Sequence, residues 1–255
     1  MIEISNIERQ HELARLFERS GRLSVSQVCA QFGVSEATAR RDLDVLAEEG
    51  RIRRVHGGAI LVRHAAPEEP ILARSHEMSV EKEKIGWAAA ALVNDGETVF
   101  LGSGTTVLEV ARNLVERNLT VVTNSLPVIN LMAERTNITL VTLGGSLRPS
   151  ELSFIGHITE QSLTELRADR VIIGTHAISV EQGFTNDYLP ETLTDRAILK
   201  IGREIVIVAD HTKCGVVSTA FLAPLSAMHI LVTDTETDVE FINALKLRGI
   251  NVVIA

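Results

Sequence analysis

Residues 22–59, RLSVSQVCAQFGVSEATARRDLDVLAEEGRIRRVHGGA, constrain the fold of this 255-residue chain more than any other stretch. Ser24 and Gln27 have the spacing of a capping box, in which side chain and backbone satisfy each other's free donors at a helix start. Val25, Val28, Cys29 and Phe32 follow at i, i+3, i+4 and i+7, one apolar helical face. Gly33 permits a sharp turn through positive φ. Ser35 is a good N-cap, and the helix it opens buries Ala39, Leu43 and Leu46 while Ala37, Thr38 and Arg41 point the other way. Two short helices joined by a tight turn make a helix-turn-helix, whose second helix suits a DNA major groove. Residues 51–61 read as a basic hairpin, a wing. In it Ile52 and Val55 pack inward, Arg53 and Arg54 lie near a nucleic-acid backbone, and Gly57-Gly58 supply the turn. His56 is either a phosphate or minor-groove contact or a solvent-exposed turn residue.

Charge is distributed to match. Of a formal net charge of −8, residues 1–63 carry +1, from ten arginines and nine acids, and the remainder carries −9. An acidic chain approaches DNA only where positive charge is gathered, and Arg40, Arg41, Arg51, Arg53, Arg54 and Arg63 gather it. Arginine suits the task because its planar fork meets phosphate or guanine with two hydrogen bonds. The expected DNA-contacting set is Ser24, Ser35, Ala37, Thr38, Arg40, Arg41, Arg53, Arg54, His56, Gly57 and Gly58.

The string SEATARRDLDVLAEEGRIRRVHGGA strongly resembles the winged helix of the DeoR family of bacterial transcription regulators. Thr38-Ala39-Arg40-Arg41-Asp42-Leu43 and His56-Gly57-Gly58-Ala59 carry the likeness. Ala39 stands where that family more often has Ile or Val, a small change on the buried face. Over the 25 positions of that string the pattern is far more specific than a lone glycine motif.

A hydrophobic share of 45 % is enough for a sizeable core. No apolar run reaches the ~18 residues that would span a bilayer, and MIEISNIERQHELARLF lacks the charged-then-apolar pattern of an export signal. Cys29 and Cys214 are far apart and have no ligand-spaced neighbours, which implies reduced thiols in a cytoplasm, no disulfide framework and no metal. The expectation is a cytoplasmic protein with no membrane partner and no cofactor.

Residues 1–63 form the first expected domain and 64–76 a linker stiffened by Pro67 and Pro70. Over 77–255 strands alternate with helices. The strands are expected at 98–101, 119–123, 138–143, 170–174, 204–209, 229–233 and 250–254. That rhythm implies an α/β domain around a mostly parallel, buried sheet, so the whole is an α/β chain with an N-terminal winged helix.

Ligands of open α/β sheets bind at the carboxyl ends of the strands. Those ends carry Gly102-Ser103-Gly104-Thr105-Thr106, Thr123-Asn124-Ser125, Gly144-Gly145-Ser146, Gly174-Thr175-His176 and Asp210-His211-Thr212-Lys213. The first is a phosphate cradle by construction, because glycines admit an anion to backbone N–H groups and the helix start favours negative charge. A plain strand-to-helix turn uses the same residues. A dinucleotide site does not fit. Val107 stands where a third small residue is needed, and Thr123-Asn124 offers no acid for a ribose. The GK[ST] of a nucleotide P-loop is absent too.

The second half is similar to the DeoR-family effector domain, which shares its fold with ribose-5-phosphate isomerases and acyl-CoA transferases. FLGSGTTVLEVA, VVTNSLPVINLM, LGGSLRPSELSFIG, GFTNDYLPETLTDRAIL and VADHTKCG carry the likeness. It implies a Rossmann-like domain that binds a phosphorylated sugar or related metabolite. Gly102, Ser103, Gly104, Thr105 and Thr106 would hold the phosphate, with Thr123, Asn124 and Ser125 nearby and Gly174 at an adjoining strand end. Lys213 would supply positive charge, and Asp210 and Glu191 would bind sugar hydroxyls. Thr175-His176-Ala177 departs from the Asp or Ser and Gly common in the family, a change on the sugar side of the pocket. His176 is either a ligand contact or a structural histidine.

An isomerase-like enzyme fused to a DNA-binding head is the alternative, with Asp210 and Lys213 as an acid/base pair. The related isomerases carry acidic residues just after the strand that here reads VIIGTHA, and this chain has none there. The expectation is therefore a non-enzymatic regulator, a repressor of carbohydrate-metabolism genes, whose operator binding responds to a phosphorylated sugar. It would act as a homo-oligomer, dimer or tetramer, on half-sites about 34 Å apart.

Overall fold

The computed structural model describes residues 6–65 and 69–255, so Pro67 and the side chain of Arg63 lie outside the described residues. The chain forms two compact units, one ending at His64 and one beginning at Ala65.

The first unit runs α1 (Asn6–Ser20), β1 (Arg22–Ser24), α2 (Val25–Phe32), α3 (Glu36–Glu48), β2 (Ile52–Val55) and β3 (Gly58–Leu61). Both expected caps form. Ser24 Oγ accepts from Gln27 N–H at 3.1 Å while Ser24 N–H donates to Gln27 Oε1 at 2.8 Å, and Ser35 Oγ accepts from Thr38 N–H at 3.3 Å. Gly33 ends α2 with φ +63° and donates to Cys29 O. Val28, Ala39, Leu43 and Leu46 meet Leu13 and Phe17 of α1, with Ile52 and Ala59 of the wing closing the core. The wing is an antiparallel sheet in the order β1-β3-β2.

One feature of this unit corrects the sequence reading and another adds to it. The wing turn is His56-Gly57, since Val55 already pairs with Gly58. Gly58 is instead a close-approach glycine: a Cβ there would lie 2.2 Å from Leu23 O on β1. The other is Asp42, which is buried inside the Arg-Arg-Asp-Leu string and holds Arg9 of α1 with two bonds, Nε–Oδ2 at 2.6 Å and Nη2–Oδ1 at 3.1 Å. The pairing raises the already high pKa of Arg9.

The second unit runs α4 (Ser79–Ala90), β4 (Thr98–Leu101), α5 (Thr105–Leu114), β5 (Leu119–Thr123), α6 (Leu126–Met132), β6 (Ile138–Thr142), β7 (Ser146–Arg148), β8 (Ser153–Ile155), α7 (His157–Thr164), β9 (Ala168–Ile173), β10 (Ala177–Ser179), β11 (Gly183–Asn186), α8 (Leu189–Ile201), β12 (Gly202–Val208), β13 (Ala220–Ala223), β14 (Ile230–Thr233), α9 (Val239–Lys246) and β15 (Asn251–Ile254). Seven strands form one parallel sheet in the order β15-β14-β12-β9-β4-β5-β6. Alternate residues of each strand serve opposite faces. Val99, Leu101 and Ile172 pack with Val107, Val110 and Leu114 of α5. Phe100, Val171 and Ile173 pack with Ile198 of α8 and Leu245 of α9. Burial on both faces explains why these strands read as continuous apolar runs.

The chain starts this sheet at its middle, winds outward through β5 and β6, and then returns to the other side at β9. Strand order therefore reverses between β4 and β9, the place where open α/β sheets leave a crevice at their carboxyl edge. The hairpin β7–β8 and the antiparallel sheet β10-β11-β13 were not expected from sequence, and residues 69–76 are not a free linker. Ile71 and Arg74 are buried in the second unit.

Removing Asp42 would leave Arg9 with uncompensated charge against the core of the first unit. Asp42→Ala should destabilise that unit by about 3 kcal/mol, read in scanning calorimetry as a downward shift of its transition; a shift under about 1 kcal/mol would return the pair to the rank of a surface salt bridge.

Candidate functional site

The outward side of α3 presents Ala37, Arg40 and Arg41 to solvent, and the wing tip presents His56 and Gly57. Arg40 pairs with Glu36 at 3.1 Å along the helix, and Arg54 with Asp44 at 3.1 Å between α3 and the wing. The Arg40–Glu36 pair is exposed on both sides, and such pairs are weak and exchange readily for other anions. Ser24, Ser35 and Thr38 have their hydroxyls engaged in the caps. Gly58 is buried under β1, so its place in the expected contact set is corrected to a packing role.

In the second unit the segments after β4 and β9 meet at the switch point and line a half-open cavity of about 280 Å³. Its cradle is Gly102–Thr106. Gly104 has φ +112°, a backbone conformation that only glycine takes easily, and no side chain caps the start of α5. The first helical turn therefore offers free N–H groups and the positive end of the helix dipole. Three cationic side chains, Arg74, Lys82 and Lys213, line the same cavity. Lys82 is buried and donates to Glu77 O at 2.6 Å and Arg74 O at 3.3 Å. Burial lowers its pKa, against the opposing pull of Asp210.

Carboxylates supply the rest of the lining. Glu191 and Asp195 lie one turn apart on α8, and Glu151 comes from the loop between β7 and β8. Glu191 accepts from Ser153 Oγ at 2.8 Å and from Arg148, whose guanidinium lies 4.5 Å over the Tyr188 ring. Asp195 accepts from Asn186 Nδ2 at 2.9 Å. Desolvation, then the neighbouring Glu191, push its pKa well above the ordinary aspartate value. The cavity is thus cationic and donor-rich at the cradle and rich in hydrogen-bonding carboxyls elsewhere, a lining that fits an anion carrying hydroxyls.

Of the expected effector residues, Gly102, Ser103, Gly104, Thr105, Thr106, Gly174, Glu191, Asp210 and Lys213 come together in this lining. Thr123, Asn124 and Ser125 do not, which corrects their expected place beside the phosphate. Thr123 Oγ1 donates to Leu101 O at 2.6 Å, Asn124 Nδ2 to Phe154 O at 3.0 Å, and Ser125 caps α6. Asp210 is part bonded already: its Oδ1 accepts from Thr212 N–H at 3.0 Å and from the Thr212 hydroxyl. His176 is buried and lines the cavity. Cys214 is no reactive thiol, since burial pushes its pKa up to about 12. Sequence reasoning missed Arg74, Glu77, Lys82, Glu151, Asn186 and Asp195. Arg74 fell in the presumed linker, and only the i, i+4 spacing of Glu191 and Asp195 marked the last of them.

Comparison with known proteins places both units. Residues 9–65 match the DeoR-like helix-turn-helix domain and residues 77–235 the DeoR C terminal sensor domain. The chain is 32% identical over 239 residues to the transcriptional repressor AccR of Agrobacterium fabrum, covering 93% of each chain. It is 31% identical over 239 residues to the glycerol-3-phosphate regulon repressor of Escherichia coli, covering 93% of this chain and 94% of that one. Among solved structures, ribose 5 phosphate isomerase A from Neisseria gonorrhoeae matches 52% of each chain at 17% identity, with a TM-score of 0.39.

A side chain at Gly104 would strain the backbone that aims the cradle's N–H groups, since its φ of +112° suits only glycine. Gly104→Val should weaken binding of inorganic phosphate by at least about tenfold in calorimetric titration while the protein still melts cooperatively; unchanged affinity would remove the cradle from the site.

Proposed function

The chain belongs to the DeoR family of transcriptional regulators, and from that premise we propose that it represses carbohydrate-metabolism genes under the control of a phosphorylated sugar or related metabolite. The observation that carries the reading is the uncapped start of α5 at the switch point, sharing one cavity with Lys82 and Lys213. A phosphate there meets backbone donors, a helix dipole and two ammonium groups. Glu191, Asp195 and Asn186 line the part of the cavity where the hydroxyls of the remaining molecule would lie. The name of one relative, the glycerol-3-phosphate regulon repressor, points to a phosphorylated polyol and supports the same ligand class.

The DNA side of the proposal uses the exposed face of α3. Ala37, Arg40 and Arg41 would reach base edges in the major groove, with Arg53, Arg54 and His56 of the wing on the backbone. The protein would bind as a homo-oligomer in the cytoplasm, its two recognition helices about 34 Å apart on repeated half-sites. Turnover is not part of the proposal. The strand that ends at Ile173 is followed by Gly174-Thr175-His176, without the carboxylates that the resemblance to the isomerases requires there, and both relatives above are named repressors.

Calorimetric titration of the full chain tests the effector class. The full chain is needed because Arg74 lines the cavity. Ribose 5-phosphate, glucose 6-phosphate, glycerol 3-phosphate and their unphosphorylated parents form the panel. At least one phosphorylated member should bind, and its parent should not. Equal binding of a parent, or heat from no member, would contradict the proposal.

A further inference from the structure

Part of the cavity wall is made by the chain that follows the winged helix. Arg74, Glu77 and Met78 line it beside Glu151, and all three lie soon after the second unit begins at Ala65. Polar contacts hold this stretch down. Ile71 N–H donates to Ser150 O at 2.8 Å. Arg74 Nη2 donates to both carboxylate oxygens of Glu151 at 2.6 Å, and its Nε donates to Glu69 O at 2.6 Å. Lys82 ties down the carbonyls of Arg74 and Glu77. Between them and α4, Met78 takes a left-handed backbone with φ +47°, uncommon for a residue with a side chain.

We infer that Arg74 is an effector-binding residue, shared between Glu151 and the effector's anion, and that its transfer from one to the other carries occupancy of the cavity into the segment that follows the winged helix. The inference rests on the cavity being an anion-effector site. Both partners of the Arg74–Glu151 pair are nearly fully buried, and a buried charge holds its place only while it is compensated. An anion entering the cavity offers the guanidinium a second carboxylate-like partner, with the two-pronged geometry that arginine favours. The arrangement with Arg74 on the anion then binds the effector better than the arrangement with Arg74 on Glu151. That difference in affinity is what a ligand needs to shift one state toward the other. The three-residue turn Arg74–His76 moves with its side chain, because Arg74 is anchored at both its guanidinium and its carbonyl.

Hydrogen exchange of the full chain, with and without saturating inorganic phosphate, tests this. In the wild type, phosphate should slow exchange over residues 102–107 and speed it several-fold over 71–77, as Arg74 leaves Glu151. Glu151→Gln removes the competing charge. It should bind phosphate at least as tightly, exchange fast over 71–77 before phosphate is added, and show no further change there on binding. Protection at 102–107 with unaltered exchange at 71–77 in the wild type would overturn the inference and leave the cavity reading standing. Weaker phosphate binding by Glu151→Gln would also overturn it. Absence of protection at 102–107 would remove the cavity reading, and the inference with it.

Discussion

Every strand of the seven-stranded sheet runs in one direction, so all seven carboxyl ends meet along one edge. The rest of the sensor unit depends on that constraint. Winding outward from β4 in both directions forces the strand order to reverse beside it, and the crossovers on the two sides leave the space between β4 and β9 unfilled. Into that space point the start of α5 and the Gly174–His176 segment. The cavity is a consequence of topology. Its chemistry is a consequence of which residues stand at two strand ends.

Parallel pairing also explains what was legible in the sequence. Strands covered on both faces must be apolar throughout, so Val99–Leu101, Val171–Ile173 and Ile205–Val208 stood out at once. The helix-turn-helix was legible for a different reason, since Ser24 with Gln27, Gly33 and Ser35 are local signals whose partners lie within a few residues. What stayed hidden depends on distant partners. Arg9 and Asp42 are 33 residues apart, and Arg74 and Glu151 are 77 apart; no spacing rule links either pair. Strands β7, β8 and β10 are three residues each, too short to show a period of two. Thr123–Ser125 misled because a polar strand end has two uses. A hydroxyl or amide can face a ligand, or it can satisfy neighbouring backbone, as Thr123 does with Leu101 O.

The two units handle charge by opposite means. The winged helix keeps Arg40 and Arg41 on its exposed α3 face, where high dielectric makes the Arg40–Glu36 pair weak and replaceable by phosphate. The cavity of the second unit buries several of its charges and holds these against partners: Lys82 on two carbonyls, Arg74 on Glu151, Glu191 on Arg148. Buried pairs add little net stability, yet breaking one is strongly unfavourable. Such a network has few stable arrangements and is sensitive to one added charge. Those are the properties a switch requires, and a rigid scaffold has no use for them.

The central claim is that occupancy of the Gly102–Thr106 cradle changes how strongly the winged helix holds DNA. Fluorescence anisotropy on a duplex selected by the full chain from random sequence measures this directly, with the best-binding sugar phosphate and its unphosphorylated parent added in turn. DNA affinity should shift at least about fivefold, the lower end of ordinary allosteric coupling, with the phosphorylated compound alone, and should not shift in Gly104→Val. Identical DNA affinity with the cavity empty and saturated would contradict it.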